Sequence, residues 1–211
     1  IDWRLRHAQF NAAEGVRWLG TSIAALSDLQ AALVVGSNLR KDHPLFAQRI
    51  RQATKKGCQV FALNAKVYDW AMPVTASVVA AQDWAQALAD VAAAVAQAKG
   101  VQAPVAGQAN VEADAIAQAL IAGERKAMLG NAAAHHAHAA ELLALANWIG
   151  EQTGATVGYL TEAANTVGAQ WVKAQPQANG LHAAQMIAGG LKATILLNNE
   201  PALDSAAGQQ A

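Results

Sequence analysis

Three histidines in the run His135-His136-Ala137-His138, with Glu141 three positions further on, offer the chemistry closest to a metal site. In a helix His135 and His138 share a face, and Glu141 can join His138 at i+3. Imidazole nitrogens and a carboxylate are donor types that zinc and nickel accept. The set lacks the ligands of a closed tetrahedral site, and the alternative is the partly solvated first turn of a helix. The expectation is that no metal is bound. The single cysteine, Cys58, excludes a disulfide within the chain and any iron–sulfur cluster held by this segment's own thiols. It follows Gly57 and opens an apolar run, which predicts a small buried hydrophobe. A reactive thiol would need a cationic neighbour, and Lys55 and Lys56 at a helix end are better placed to meet terminal carbonyls.

Nucleophilic and nucleotide-binding patterns are sparse. Ser37 follows a strand-like run, and a Ser37–His43 pair through the loop is the one nucleophilic arrangement available. No Gly-x-Ser-x-Gly elbow occurs. Gly36-Ser37-Asn38-Leu39-Arg40 lacks the second and third glycines of a dinucleotide fingerprint, and there is no phosphate loop of the Gly-Lys-Ser/Thr kind. Ser37 and Asn38 are the residue types that shape a turn through their own backbone amides. His43 and His182 are isolated and read as loop or packing residues. Of the six tryptophans, Trp18, Trp84, Trp148 and Trp171 have apolar neighbours at helical or strand spacing and read as core or inter-element packing. Trp3 and Trp70 have polar, irregular surroundings and read as contact surface, with Tyr68 and Met72 beside Trp70. No residue is assigned as catalytic, cofactor-binding or metal-ligating.

The elements that would position these residues alternate. Ala31–Val35 is a buried strand, Gly36-Ser37-Asn38 a turn, 45–56 a helix with a cationic last turn, Gly57 its stop, and Cys58 to Leu63 a second buried strand. That is one β-α-β unit of a parallel sheet, whose ligands sit beyond the carboxyl ends of the strands, here loops 36–44 and 64–73. The pattern predicts strands near 31–36, 58–63, 76–80, 126–130, 155–160 and 193–197. Helices are predicted from Asp83 to about Ala98, Val111 to Ala122, His136 to Gln152, and Leu181 to Ala188. The fold class is α/β, a doubly wound, mostly parallel sheet with helices on both faces. The organisation is a single domain over 1–211, in two βα halves (about 1–100 and 111–203) joined by a linker at 99–110, read as a piece of a larger polypeptide.

Composition sets limits. Of 211 residues 54% are hydrophobic, yet about a quarter are alanine, which favours helix. The 15 basic and 15 acidic side chains cancel, so nothing steers the chain toward nucleic acid or an anionic membrane. No apolar run reaches the length of a membrane span, and no signal peptide pattern opens the chain.

Taken together, Leu33-Val34-Val35-Gly36-Ser37-Asn38, His43-Pro44-Leu45, Arg49-Ile50 and Lys56-Gly57-Cys58-Gln59-Val60 resemble the molybdopterin oxidoreductase superfamily. Leu129-Gly130-Asn131-Ala132, Asn165-Thr166-Val167-Gly168-Ala169, and Gly190-Leu191-Lys192-Ala193 running into Asn199-Glu200-Pro201 fit the same family. The phrase Val35-Gly36-Ser37-Asn38-Leu39-Arg40-Lys41, before His43-Pro44-Leu45, is most similar to the large iron–sulfur subunit of bacterial NADH-quinone oxidoreductase (respiratory complex I). The resemblance covers most of residues 16–203. It implies a Rossmann-type domain, with iron–sulfur clusters in an amino-terminal part of the parent chain that this segment does not contain. Catalytic relatives carry an Asp-Pro-Arg-type ending on the second strand, where Asn64-Ala65-Lys66 stands here. The resemblance therefore implies a structural and assembly domain without chemistry or cofactor of its own. Its partners would be other subunits of a respiratory NADH dehydrogenase complex. It would sit in the peripheral arm, on the cytoplasmic side of the bacterial inner membrane, without inserting into it. The alternative is a cofactor-binding domain of an active molybdopterin-dependent oxidoreductase.

Overall fold

All five residues of β1, Ala31–Val35, are buried, which a strand achieves only when both of its faces are covered and both of its edges are bonded. In this computed structural model, which describes residues 18–130, 136, 138–161, 165–174, 176 and 180–205, both conditions hold. β1 pairs in parallel with β2 (Gln59–Asn64) on one side and with β4 (Lys126–Gly130) on the other. β3 (Thr75–Val78) lies outside β2 and β5 (Thr156–Tyr159) outside β4, giving the order β3-β2-β1-β4-β5 with every pair parallel. Successive side chains of a strand point to opposite faces. Leu33 and Val35, with Phe61, Leu63 and Met128, enter one core layer, while Ala32 and Val34, with Val60, Ala62 and Leu129, enter the other.

Different elements cover the two layers. Within the first half, α1 (Leu39–Asp42) and α2 (Pro44–Thr54) come after β1, and α2 buries Ala47, Ile50 and Ala53 at helical spacing. Over the opposite layer lie α3 (Trp84–Lys99), α4 (Val111–Ala122) and α5 (Ala139–Thr153). Their inward faces carry Leu88, Val91 and Val95, then Ile116 and Leu120, then Leu142, Leu145 and Ile149, with alanines between that let the helices approach closely. Asn110 caps α4, its Oδ1 accepting from the Ala113 amide at 2.9 Å. The segment between α3 and α4 is fastened to α3, since Asp90 Oδ1 accepts from the Gln108 amide at 2.9 Å. α6 (Thr166–Trp171), α7 (Ala183–Ile187) and α8 (Pro201–Asp204) are short. The outer edge of β5 meets residues near Trp18, whose carbonyl accepts from the Tyr159 amide at 2.9 Å.

The α/β class and parallel sheet agree with expectation, but three readings need correction. Residues 193–197 are not a strand: they join no described strand, with Ile195 96% and Leu197 86% exposed. An apolar run becomes a strand only where a neighbouring strand takes up its amides and carbonyls, and no described strand lies beside it. Trp18 and Trp171 are not core, being 53% and 71% exposed, whereas Trp84 and Trp148 do pack on the first layer. Trp70 is not a contact surface but 7% exposed, buried in the second layer. Trp3 lies outside the described residues.

Burial separates residues that matter for stability from those that do not. Leu33→Ala, at a side chain 1% exposed, should cost about 2–5 kcal/mol in urea unfolding. Leu45→Ala, at 75% exposure on α2, should change it by less than about 0.5 kcal/mol.

Candidate functional site

In an open parallel sheet the ligand crevice lies beyond the carboxyl ends of the strands where their order reverses. Here the chain runs outward from β1 to β3 and then returns to β4 on the other side, so the reversal falls between β1 and β4. Gly130, at the end of β4, stands in register with Val35, and a Cβ there would collide with the Val35 carbonyl oxygen. Only glycine permits this close approach of the two strand ends.

The turn after β1 is bonded to itself. Gly36 takes the left-handed conformation at φ 65°, and its amide donates to the Leu63 carbonyl at 2.9 Å. Ser37 is 1% exposed. The Asn38 amide donates to the Asp42 carboxylate at 2.9 Å. The Asn38 carbonyl in turn accepts from the Lys41 and Asp42 amides at 2.9 and 2.8 Å. Both backbone groups of Asn38 are thus bonded within the chain.

Asn64, at the end of β2, is 4% exposed and its Nδ2 donates to the Ser37 carbonyl at 3.4 Å. The residue standing where a ribose-binding acid would be expected therefore ties β2 to the β1 turn. His43 opens α2 just before Pro44 and places Nε2 2.8 Å from the Thr161 carbonyl. A carbonyl only accepts, so Nε2 carries the proton and the bond spans the crevice from the β1 side to the β5 side. The ring stacks on Phe46 with centroids 5.4 Å apart. Its Nδ1 is buried and has no hydrogen-bond partner, so the Ser37–His43 pair is not formed.

Loop 64–73 joins two adjacent parallel strands without a helix, and Trp70 supplies the cover a helix would give. Around Trp70 the loop is locked at the surface. The Arg40 guanidinium pairs with the Asp69 carboxylate and also reaches the Asp69 carbonyl at 3.3 Å, while Asp69 Oδ1 accepts from the Ala71 amide at 3.1 Å. Tyr68 meets Trp70 edge-on with centroids 6.1 Å apart, an arrangement aromatic rings favour. The hydrogen bond from Arg40, and then the Ala71 amide, hold the Asp69 carboxyl below its ordinary value of 3.8. The Lys56 ammonium, 2.8 Å from Asp28, does the same to that carboxyl.

The histidine group is arranged as a helix entrance. His136 Nδ1 accepts from the His138 amide at 3.0 Å, and its Nε2 lies 2.7 Å from the Ala81 carbonyl. Both ring nitrogens are thus engaged, and the ring stacks on Trp84 with centroids 5.4 Å apart. The expected partnership of His138 with Glu141 is present, Nδ1 to Oε1 at 3.2 Å. His135 lies outside the described residues. Among those described, no group of three or more His, Cys, Asp or Glu is placed to hold a metal ion. Cys58 is buried, and burial pushes its thiol up to about 11.

One feature carried no sequence signal. A cleft of about 300 Å³ lies between the first layer and α3–α4, with Leu33 and Leu63 on its floor and Asp83, Asp90 and Glu112 at its rim. Its lining comes from four separate stretches of chain, so only the fold brings it together. Asp90 is already engaged by Gln86 and Gln108, both at 2.9 Å.

Residues 2–211 match the family model for molybdopterin oxidoreductases. The chain belongs to the molybdopterin oxidoreductase family. No curated protein matches it by sequence. Among solved structures its fold is similar to a chain of the formyltransferase/hydrolase complex from Methylorubrum extorquens, solved with methylofuran, with a TM-score of 0.50 and 21% identity. The match covers 82% of this chain and 49% of that one, so this chain spans about half the length of its structural relative. At that identity the likeness concerns the fold. For this family member, function has to be read from the geometry of the crevice.

The side-chain environments lead to two measurements. Cys58 should resist alkylation at neutral pH in the folded protein and react at the rate of a free thiol in denaturant, as mass spectrometry would show. Asp28 and Asp69 have folded pKa values below their unfolded ones. Their stabilising contribution is therefore complete above the unfolded value and is lost as pH falls through the folded one. Asp28→Asn combined with Asp69→Asn should lower stability modestly at pH 7 and flatten its decline below about pH 4 in acid titrations of unfolding.

Proposed function

We propose that this chain is a scaffold domain, without chemistry of its own, in the large iron–sulfur subunit of a complex I-type NADH-quinone oxidoreductase. The observation that carries the non-catalytic reading is the bond from the Asn38 amide to the Asp42 carboxylate. A pterin nucleotide or a dinucleotide brings phosphate, which such a sheet receives on free backbone amides at this turn. Here the amide is taken, and the group that takes it is negatively charged. Asn64 supports the same reading, because its side chain faces the Ser37 carbonyl and not a ribose. On this reading the described residues of the crevice do not receive a molybdopterin nucleotide, and no reaction step is assigned to them.

What these residues do is hold the strand ends in place. His43 joins the β1 side to the β5 side, and Arg40 with Asp69 keeps Trp70 over the sheet. A domain braced in this way suits a spacer that fixes the position of redox centres carried elsewhere in the parent polypeptide. The assignment to this particular subunit is supported by the phrase Val35–Lys41 together with His43-Pro44-Leu45. Other subunits of the complex are the partners, in the peripheral arm against the cytoplasmic face of the membrane. Among the described residues no helix is long and apolar enough to cross a membrane.

The test is calorimetric titration of the protein with NADH, a nucleoside triphosphate and a molybdopterin nucleotide. No heat of binding is expected for any of them. A dissociation constant tighter than about 10 μM for any of these would show a working site and favour a cofactor-binding domain of an active enzyme. A tagged parent polypeptide should also copurify with NADH-driven quinone reduction, and its absence from such a fraction would remove the complex I assignment.

A further inference from the structure

The cleft between the first core layer and α3–α4 is lined in a way that packing alone does not call for. It holds about 300 Å³, with Leu33, Leu63, Leu88, Val91 and Ile116 supplying apolar surface. Ser77, Asp83, Asp90 and Glu112 also line it, and no Lys, Arg or His is found among the described residues around it.

Four polar groups there have unused bonding capacity. Ser77 stands on β3 in register with Leu63, and at 8% exposure its hydroxyl makes no hydrogen bond among the described residues. A buried hydroxyl in that state costs free energy until something entering the cleft bonds it. Asp83 precedes α3, yet its carboxylate does not cap the helix. Glu112, in the first turn of α4, has no ion pair or side-chain hydrogen bond among the described residues. Asp90 meets both Gln86 and Gln108 with Oδ1, which leaves Oδ2 unused.

The amino-terminal ends of α3 and α4 offset only about half an elementary charge each, so three carboxylates leave the cleft negative. A bare divalent ion does not suit it, because among the described residues no three acidic, His or Cys groups are placed to hold one. The carboxylates ring a space and do not converge on a point.

We propose that this cleft binds a small organic cation, an ammonium or guanidinium group carried on an apolar body. The body covers Leu33 and Leu63, the cationic head meets the carboxylates at the rim, and the Ser77 hydroxyl bonds a polar atom of the ligand. A small molecule is favoured over the side chain of a docked partner because the cleft reaches down to Leu33 on the central strand. A concave apolar space of this volume, with a few polar groups around it, is the form that small-molecule sites take. Its lining does not include the turn 36–38, Asn64 or His43, so the inference goes beyond the proposed function and does not depend on it.

Calorimetric titration of the full chain with phenethylamine tests it, with phenethyl alcohol and phenylpropionate as neutral and anionic counterparts. Phenethylamine should bind saturably with a dissociation constant below about 1 mM, at least about 10-fold tighter than the alcohol, and phenylpropionate should not bind. Asp83→Asn combined with Glu112→Gln, at two exposed side chains, should weaken the amine about 10-fold and leave the alcohol unchanged. Amide NMR shifts on adding the amine should centre on Ser77, Gln86 and Glu112. Equal affinity for the three compounds, no saturable binding of the amine, or an amine affinity untouched by the double substitution would overturn the inference. Binding of tetralysine without binding of phenethylamine would overturn it in favour of a partner's basic segment.

Discussion

The structure depends on the position of β1, a strand bonded on both edges and covered on both faces. No water reaches its backbone, so every amide and carbonyl must find its partner in β2 or β4, and every side chain must fit a packed layer. That demand propagates outward. It requires parallel neighbours, parallel neighbours require crossovers, and the crossovers deposit α2 on one side and α3, α4 and α5 on the other. Even the turns answer to it: the Gly36 amide extends the β1–β2 ladder one residue past the strand, and the Asn64 side-chain amide extends it again to the Ser37 carbonyl.

The same logic accounts for the turn after β1, whose Asn38 amide is bonded by the protein's own carboxylate. Backbone amides at the end of a parallel strand are strong donors that must be used. One solution is to point them at a phosphate, and another is to supply a carboxylate from four residues downstream. Asp42 is the second solution, and it couples the turn to α1 in a way a ligand never would. His43 and Trp70 extend this self-sufficiency, the first by a single hydrogen bond across the crevice, the second by bulk. The interior gains a brace between segments far apart in sequence.

Much of this was legible in the sequence because the central elements are delimited by residues with a single structural meaning. Val111–Ala122 and Lys126–Gly130 have the bounds their patterns predict, the first set by an Asn cap and the second by flanking charge and glycine. Cys58 reads correctly because it stands at the entrance of the run that becomes the buried strand β2. The failures share a cause, which is that exposure is decided by tertiary partners. Trp70 follows Asp69 in an irregular loop near Lys66, and those polar neighbours suggested a surface. Asp69 instead fastens the loop, through Arg40 and the Ala71 amide, and the ring turns inward. For 193–197 the error runs the other way: its composition is that of an interior strand, but composition does not provide the adjacent strand. The His43–Thr161 bond had no local signal, since its partners are separated by most of the sheet.

The placement of β1 at the centre also fixes the order in which this domain can be assembled. Its pairing with β2 closes a short stretch of chain, but its pairing with β4 must wait until α3 and α4 have been made and folded back. Until then the apolar strand has one open edge, and loop closure over that distance makes the second pairing slow. Because α3 and α4 pack on each other as a hairpin, they can shorten the effective distance before the edge is met. The alanine-rich interface between these helices thus bears on how far apart the two edges of β1 are completed in time.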